Sequence, residues 1–388
     1  MHINLRRITS SGNYVPEIDG LRFVAIMSVL FYHVGMMTLI NFGRYSEPNG
    51  VFLNAFPRML FHGGRGVPLF FTISGMILGL PFAQQYIGGQ GSVKLSSYFL
   101  RRVTRLEPPY ILNLLMRLPL VPWAKHLSFL QVVPHFLASL LYLHGTIYGS
   151  WPLVHPPSWS LEIEIQFYLL APLLALFIFR RNMVIRRLSM LLLIAGAGFA
   201  QHRFGIVLGA AETSRLELSI ISAIQFFLAG FFLADLFLDV FPRWKQSWLW
   251  DVVSVPLWAA IFWVDDLQWV PFMAIVASIG AFKGKLMNRC FTAPIIATIG
   301  GMCYSIYLTH SLILQGCYAV FMRIHPLTGF WRNYWASLTL SVPVVLLFGA
   351  AFFVLIERPC MDRRWPQKAM AFLTRKRAED CKAVGVGT

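Results

Sequence analysis

Residues 22–40 read RFVAIMSVLFYHVGMMTLI, and this stretch decides the class of the protein. It carries one basic side chain at its start and one histidine inside an otherwise apolar run. A helix of about 20 such residues crosses the hydrocarbon core of a bilayer. No small-residue cleavage pattern follows it, so we expect a retained first span and no signal peptide.

The composition of the whole chain extends that conclusion. Of the 388 residues, 57% are hydrophobic and only 13% are charged, whereas about 25% of the residues of a soluble domain are charged. The hydrophobicity excludes a disordered chain, and five cysteines in this length exclude a disulfide scaffold. Glycine and proline show no period, which excludes a collagen-like chain. A polytopic membrane protein remains.

Nine further apolar stretches follow the first. They cover residues 66–83, 98–121, 159–179, 188–206, 218–239, 249–264, 267–282, 294–320 and 334–356. We therefore predict an all-α fold, a polytopic membrane helical bundle with about ten transmembrane helices. An eleventh apolar stretch, 131–144, is short and carries two histidines. We expect it to form a re-entrant or interfacial helix.

The distribution of basic residues predicts the orientation of the bundle. The net charge is +16, which suggests nucleic acid in a soluble protein but marks cytoplasmic loops in a membrane protein. With ten crossings and a cytoplasmic N-terminus, 23 Lys and Arg residues lie in cytoplasmic segments and 9 in outer segments. If 131–144 crossed, the basic clusters at 180–187 and 283–289 would face outward. We therefore predict a multi-pass protein of the cytoplasmic (inner) membrane, with both termini in the cytoplasm and no nucleic-acid partner.

This topology divides the chain into three segments. Residues 1–20 form a cytoplasmic N-terminal segment, 21–359 the membrane domain, and 360–388 a basic cytoplasmic tail. We expect the tail to lie along anionic lipid as a helix or to be partly disordered. No pair of cysteines has the spacing of a zinc site, so we predict no bound metal.

Ionisable side chains inside the predicted spans mark candidate functional positions, because charge within a bilayer is costly and usually functional. Arg22 and His33 share one face of the first helix, and Asp19 is placed to pair with Arg22. His33 lies about 13 residues beyond the inner boundary, or roughly 20 Å of helix rise. Glu164 and His310 map to the same half of the membrane by separate counting. Taken alone, His33 is equally explained by a bond to a neighbouring hydroxyl.

Two arginines lie where another predicted span begins on the cytoplasmic side. Arg102 and Arg105 are three residues apart on one helix face, and their guanidinium groups suit phosphate recognition. The alternative is a pair of anchors that place their charges at the membrane surface. In the second span, the small residues Ser74, Gly75 and Gly79 permit another helix to approach closely.

Together these segments resemble the acyltransferase family 3 membrane proteins over about residues 14–359. The first-span pattern of that family ends in an intramembrane histidine, and His33 stands in that place. Residues 66–75 are similar to its Gly-Val-Asp-x-Phe-Phe-x-x-Ser-Gly segment, with Pro68 where aspartate is usual. Its Arg-x-x-Arg pair before a proline matches residues 102–108.

The second half of the chain carries the rest of the resemblance. Residues 159–168 are similar to the family's Trp-Ser-Leu-x-x-Glu-Glu-Gln-Phe-Tyr, with Glu164 as the first Glu and Ile165 in place of the second. Its Tyr-Ser-x-Tyr-Leu-x-His segment resembles residues 304–310, and its closing Glu-x-Pro resembles residues 357–359. Six motifs in the family's order make the resemblance specific.

The resemblance implies the substrates. Acyl-CoA, in particular acetyl-CoA, donates the acyl group from the cytoplasm, and a hydroxyl of a glycan or glycolipid at the outer side accepts it. Arg102 and Arg105, together with Arg22, would hold the nucleotide phosphates of the donor. No cofactor would be bound permanently, and the lipid bilayer is the remaining partner.

The resemblance also implies catalytic roles. His33 would act as a general base on the acceptor hydroxyl, or as a nucleophile that carries the acyl group. Glu164 could orient it, or His310 could, as an acid–base partner or an oxyanion donor. The residues expected to support the site are Asp19, Trp159, Ser160 and Glu357.

Two functions of other classes compete with acyl transfer. Ten spans with intramembrane charges also suit a proton-coupled transporter or exporter, although no internal repeat is visible. The second competing function is a regulator that binds the donor without turnover. In that case Pro68 and Ile165 would mark the loss of catalytic function. The retained site residues argue against such a regulator: His33, Arg102, Arg105 and Glu164.

Overall fold

The computed structural model describes residues 5, 7, 14–42, 55–208, 214–323, 329–362, 365 and 367. Helices dominate this part of the chain and it contains no β-strand, which confirms the all-α prediction. In chain order the α-helices are α1 (Pro16–Phe42), α2 (Ala55–Phe61), α3 (Gly66–Tyr86), α4 (Leu95–Arg117), α5 (Leu120–Lys125), α6 (Phe129–Leu140), α7 (His144–Tyr148), α8 (Trp159–Phe179), α9 (Met183–Phe204), α10 (Ile224–Asp239), α11 (Trp248–Ile261), α12 (Val270–Lys283), α13 (Leu286–Phe291), α14 (Pro294–Gly301), α15 (Cys303–Phe321), α16 (Phe330–Phe352) and α17 (Arg358–Cys360). Most of the predicted tail, 360–388, lies outside the described residues.

Every predicted span coincides with a helix, but helix length and composition support fewer than ten crossings. Six described segments are long and apolar enough to cross a membrane: Pro16–Phe42, Gly63–Tyr86, Pro156–Phe179, Met183–Phe204, Ile224–Arg243 and Phe330–Cys360. α14 and α15 together make a seventh. α11 has only 14 residues, and α4 carries several charged side chains. The structure therefore supports a multi-pass membrane protein, and about ten crossings remains a prediction.

The stretch predicted to be re-entrant or interfacial forms α6, followed after a turn by α7. α6 begins with a capping box in which the Ser128 hydroxyl and the Gln131 side chain each accept a backbone N–H of the other residue. Its 12 residues rise about 18 Å, well short of a bilayer core of about 30 Å. This length favours a helix that does not cross.

The predicted span 294–320 is not one straight helix. α14 and α15 are bent by 70° at Met302. The paired glycines Gly300 and Gly301 immediately precede the bend, and glycine weakens a helix interior. Gly300 lies against the backbone carbonyl of Asp19, where a methyl group would overlap the oxygen. The bend therefore lets α14 pack on the first turns of α1.

Close backbone contact between α3 and α10 builds the centre of the larger hydrophobic core. Gly75 of α3 lies on the backbone of Phe227, and Gly230 of α10 lies on the backbone of α3. The ring of Phe227 stacks on Phe167 of α8 at 4.0 Å between centroids and contacts Phe71 at 4.8 Å. The predicted close approach at Gly75 is confirmed, because small residues let two helix backbones touch.

A methyl group at Gly75 is expected to destabilise the bundle. In Gly75→Ala the new Cβ overlaps the Phe227 carbonyl, and overpacking of this kind typically costs about 1–3 kcal/mol. We expect a lower melting temperature in detergent for this variant. Gly196→Ala is the matched control, since that helical glycine has no atom within 4 Å of the position of an added Cβ. Equal melting temperatures for the two variants would contradict the contact.

Candidate active site

A buried aspartate organises the first turn of α1. Asp19 is 2% exposed, and its Oδ1 accepts a hydrogen bond from Arg22 Nη1 at 2.8 Å. Arg7 Nη1 donates to the same oxygen at 3.1 Å. The predicted Asp19–Arg22 pair is confirmed, whereas Arg7 was missed because it lies outside the helix. Two arginines on one carboxylate leave a net positive charge at this point of the bundle.

A second buried carboxylate lies beside this pair. Glu357 is fully buried at the end of a π-helical turn (Phe353–Glu357), a distortion often found at functional sites. Its Oε2 accepts hydrogen bonds from the Ser305 hydroxyl at 2.6 Å and the Ser305 amide at 3.1 Å. Arg105 Nη2 lies 3.6 Å from its Oε1. Arg7 interacts electrostatically with both Arg105 and Glu357. We call this group the basic cluster: Arg7, Asp19, Arg22, Arg105 and Glu357.

Arg102 faces aromatic rings instead of carboxylates. Its guanidinium lies 3.6 Å from the ring centroid of Tyr98 and 5.6 Å from that of Tyr168. The Tyr168 hydroxyl donates to Glu164 Oε1 at 2.7 Å, and Ser74 Oγ donates to the same oxygen at 2.7 Å. The predicted shared face of Glu164 and Tyr168 is confirmed. These contacts link α4, α8 and α3. We call this group the polar bridge: Ser74, Tyr98, Arg102, Glu164 and Tyr168.

The histidines of α1 and α15 meet at a cavity of about 180 Å³. The ring centroids of His33 and His310 are 5.0 Å apart. His33 Nδ1–H donates to the Val29 carbonyl at 2.8 Å, and His310 Nδ1–H donates to the Tyr307 carbonyl at 2.6 Å. Because a carbonyl only accepts, each neutral ring keeps its lone pair on Nε2. His310 Nε2 is buried and has no hydrogen-bond partner among the described residues.

Hydroxyl groups and indole rings also line the cavity, which we call the histidine cavity. Trp159 and Ser160 line it from the start of α8. Trp159 packs edge-on against Trp151 at 5.5 Å between centroids. Ser160 Oγ lies 3.0 Å from the Tyr307 hydroxyl, which itself donates to the Pro157 carbonyl. This contact holds the loop before α8 against α15.

The structure brings together two of the three predicted catalytic residues. His33 and His310 line the histidine cavity, whereas Glu164 lies one helical turn beyond the lining residue Ser160. That turn corresponds to about 6 Å of helix rise. The Glu164 carboxylate bonds to the two hydroxyls of the polar bridge and is in electrostatic contact with Arg102. Glu164 therefore makes no direct hydrogen bond that would orient His33.

Two buried basic residues near the cavity were missed at the level of sequence. Arg117 of α4 is 4% exposed, and its Nε donates to Asn113 Oδ1 at 3.0 Å. His155 is fully buried 6.0 Å from the Tyr307 ring, and neither ring nitrogen has a partner in the described part of the chain. For Arg117 the available signal was its spacing from Tyr110 and Asn113, which places three polar side chains on one face of the otherwise apolar second half of α4, residues 108–117.

A match to a known protein family assigns this chain. A family model described as an acyltransferase domain matches residues 15–355. The chain belongs to acyltransferase family 3. The match spans the histidine cavity, the polar bridge and most of the basic cluster, and it confirms the resemblance found in the motifs. The histidine cavity and the polar bridge therefore lie wholly within the matched acyltransferase domain.

Individual relatives carry related names. The chain is 25% identical over 409 residues to O-acetyltransferase OatA of Staphylococcus aureus strain MRSA252, with 96% of this chain and 61% of the relative covered. OatA of strain NCTC 8325 / PS 47 has the same identity and coverage. A putative O-acetyltransferase of strain COL is 24% identical over 335 residues, with 78% and 51% covered. The chain thus spans between half and two thirds of these relatives. No solved structure matches it.

Proposed function

We propose that this family member is a membrane O-acyltransferase that moves an acyl group, in the first instance acetyl, from cytoplasmic acyl-CoA to a hydroxyl of a glycan or glycolipid at the outer side. The observation that carries the proposal is the meeting of His33 and His310 at the histidine cavity. Family membership supports the acyl transfer. The names of the relatives support acetyl as the group transferred.

The donor binds at the basic cluster and the start of the polar bridge. Guanidinium groups bind phosphate in bidentate fashion, and within the described part of the chain the one ion pair of Arg105 is long, 3.6 Å to Glu357. Arg102 presents its guanidinium from the same helix face, held by the Tyr98 carbonyl at 2.7 Å. Arg22 adds positive charge next to Asp19. From Arg22 to His33 along α1, 11 residues rise about 16 Å, a distance suited to an extended pantetheine arm.

His33 is the general base. Its Nδ1–H is held by the Val29 carbonyl, so Nε2 takes the proton of the acceptor hydroxyl as that oxygen attacks the thioester carbon. The new C–O bond forms while the carbonyl electron pair moves to oxygen. When that pair returns, the C–S bond breaks, and the thiolate of CoA takes the proton from His33. The products are the O-acyl ester and CoA, and the base is regenerated.

His310 supports the protonated state of His33. In the resting protein the buried His310 Nε2 lacks a donor among the described residues, and an unpartnered buried acceptor costs free energy. A proton on His33 places a positive charge beside that lone pair, at a ring-centroid separation of 5.0 Å. The proton therefore removes an unfavourable feature of the resting site, which favours the transition state over the ground state.

A labelled donor tests the proposed function. Purified protein is incubated with radiolabelled acetyl-CoA and a cell-envelope extract, and the products are separated into glycan, lipid and protein fractions. Label in glycan or glycolipid supports the proposal. Donor binding without label in any product supports the regulator, and neither binding nor transfer supports the transporter. Mass spectrometry of surface glycans from a deletion strain then identifies the acceptor.

The orientation is proposed with both termini in the cytoplasm of a cytoplasmic-membrane protein. We expect a reporter fused after Ser150 to read as external and one fused after Arg181 to read as cytoplasmic. The reason is the balance of 23 basic residues on the cytoplasmic side against 9 outside. The measurement is the activity of paired reporters that work on one side of the membrane only. A cytoplasmic signal after Ser150 would contradict this orientation and would mean either that residues 131–144 cross or that α4 does not.

A further inference from the structure

Arg117 is a buried cation whose hydrogen-bond partners among the described residues are all neutral. It is 4% exposed near the end of α4. Its Nε donates to Asn113 Oδ1 at 3.0 Å, and its Nη2 donates to the Leu308 carbonyl at 3.2 Å and to Ser311 Oγ at 2.8 Å. No carboxylate of the described residues forms an ion pair with it. A buried charge without a counter-ion is costly. We therefore expect the Arg117 guanidinium to serve a neighbouring group, and Ser311 is the neighbour that reaches the cavity.

Ser311 carries the effect of that charge into the histidine cavity. It lines the cavity together with His33 and His310. A serine hydroxyl has one proton to donate, and its oxygen already accepts from Arg117. Among the described residues the Ser311 hydroxyl donates to no acceptor. A hydroxyl that accepts from a cation becomes a stronger donor, since hydrogen bonds in a chain polarise one another.

The other hydroxyl groups that line the cavity already donate their protons in hydrogen bonds to protein oxygens. Tyr307 donates to the Pro157 carbonyl. The Ser160 hydroxyl lies 3.0 Å from the Tyr307 oxygen and 3.3 Å from the Pro157 carbonyl, so it donates to one of them. Neither histidine can donate into the cavity from its neutral form, because both Nδ1–H groups are bonded to backbone carbonyls.

We propose that Ser311, polarised by Arg117, is the oxyanion donor of this acyl-transfer site. The inference rests on the proposed function. When the acceptor oxygen bonds to the thioester carbon, the displaced electron pair places a negative charge on the carbonyl oxygen. Ser311 donates its hydroxyl proton in a hydrogen bond to that oxygen until the pair returns and the C–S bond breaks. Ser311 is then a catalytic residue, and Arg117 is a positioning residue that acts through it.

Turnover kinetics test the role of Ser311. In Ser311→Ala we expect kcat to fall by about 100- to 1,000-fold, as when one oxyanion donor is removed, with donor affinity unchanged. Ser311→Thr keeps the hydroxyl and is expected to restore most of the turnover. Thr309→Val is the matched control, because the Thr309 hydroxyl bonds to the Ser305 carbonyl on the same helix and does not line the cavity. A kcat of wild-type size in Ser311→Ala would overturn the proposal.

The coupling to Arg117 is tested by a double-mutant cycle. Arg117→Met keeps a long side chain without charge, and we expect a smaller loss of kcat than in Ser311→Ala. The double variant is expected to be no slower than Ser311→Ala alone, because Arg117 acts through that hydroxyl. Losses that multiply in the double variant would show that Arg117 does not act through Ser311. Ser311→Cys, with a weak donor of similar size, replaces Ser311→Ala if that variant no longer binds acetyl-CoA.

A spectroscopic measurement needs no acceptor and no turnover. Acetyl-CoA with a 13C carbonyl is bound to the protein, and the carbonyl stretch is recorded by isotope-edited infrared spectroscopy. We expect a higher frequency in Ser311→Ala than in the wild type or Thr309→Val, since a hydrogen bond to the carbonyl is lost. An unchanged frequency overturns the oxyanion donor. Absence of transfer by the wild type overturns the proposed function with it, whereas wild-type transfer with an unimpaired Ser311→Ala overturns the donor alone.

Discussion

His33→Ala is expected to lower kcat for acyl transfer by about 100- to 10,000-fold, the usual contribution of a positioned general base. Binding of acetyl-CoA is expected to survive, because the basic cluster lies about 16 Å away along α1. The measurements are turnover with labelled acetyl-CoA and equilibrium donor binding on the same preparation. Near-normal transfer would leave His33 as a packing residue.

The same variant separates a base from an acyl carrier. If His33 is the base, no label accumulates on the protein when acetyl-CoA is supplied without acceptor. If His33 is a nucleophile, wild-type protein accumulates label that His33→Ala abolishes. His135→Ala is the matched control, since that histidine contacts His144 and Tyr148 away from the cavity.

Arg102→Ala and Arg105→Ala are each expected to weaken acetyl-CoA binding by roughly 10- to 100-fold, the size of one lost charge-assisted hydrogen bond. Lysine at either position should rescue only partly, because it lacks the planar fork of donors. The measurement is equilibrium binding of acetyl-CoA to protein in detergent, with the melting temperature recorded alongside.

The control for these arginines is Lys94→Ala. Lys94 is an exposed cation that directly precedes α4, so its removal changes the net charge equally without touching the bundle interior. Unchanged donor affinity in both arginine variants would reject the phosphate-binding role. An equal loss in Lys94→Ala would indicate a general effect of charge instead of a specific site.

The two arginines also differ from each other in the structure. Arg102 is held over the Tyr98 ring and is joined through Tyr168 to Glu164. Arg105 faces the buried Glu357 instead. Loss of Arg102 removes a cation from the polar bridge, whereas loss of Arg105 leaves a buried carboxylate with one cation fewer. Arg105→Ala is therefore expected to lower the melting temperature more than Arg102→Ala.

Local pattern was enough to predict the helices and several close contacts. The apolar runs located every long helix of the bundle, since apolar length is a property of neighbours in the chain. Asp19–Arg22 and Glu164–Tyr168 lie three and four residues apart, so helix geometry alone predicts these contacts. Gly75 also predicted a close helix approach, because a residue without a side chain lets another helix backbone come near.

Local pattern failed where the helix axis changes direction. The run 294–320 has the composition of one span, and only contact with α1 reveals the 70° bend between α14 and α15. The number of crossings is not fixed by apolar composition either. α11 and α12 are apolar, but each has only 14 residues. Composition does not say how a short helix is accommodated against its neighbours.

By itself the sequence determined a helical membrane protein, its motifs and the residue types of its site, because periodicity and composition are local. Only the tertiary structure decided which residues meet. His310 reaches His33 across 277 positions of the chain, while Glu164 bonds to Ser74 and Tyr168. In the sequence Arg117 is one basic residue near the end of the predicted span 98–121, yet folding buries it against Ser311. Contacts between distant segments depend on how helices pack and bend, and no window of sequence holds that information.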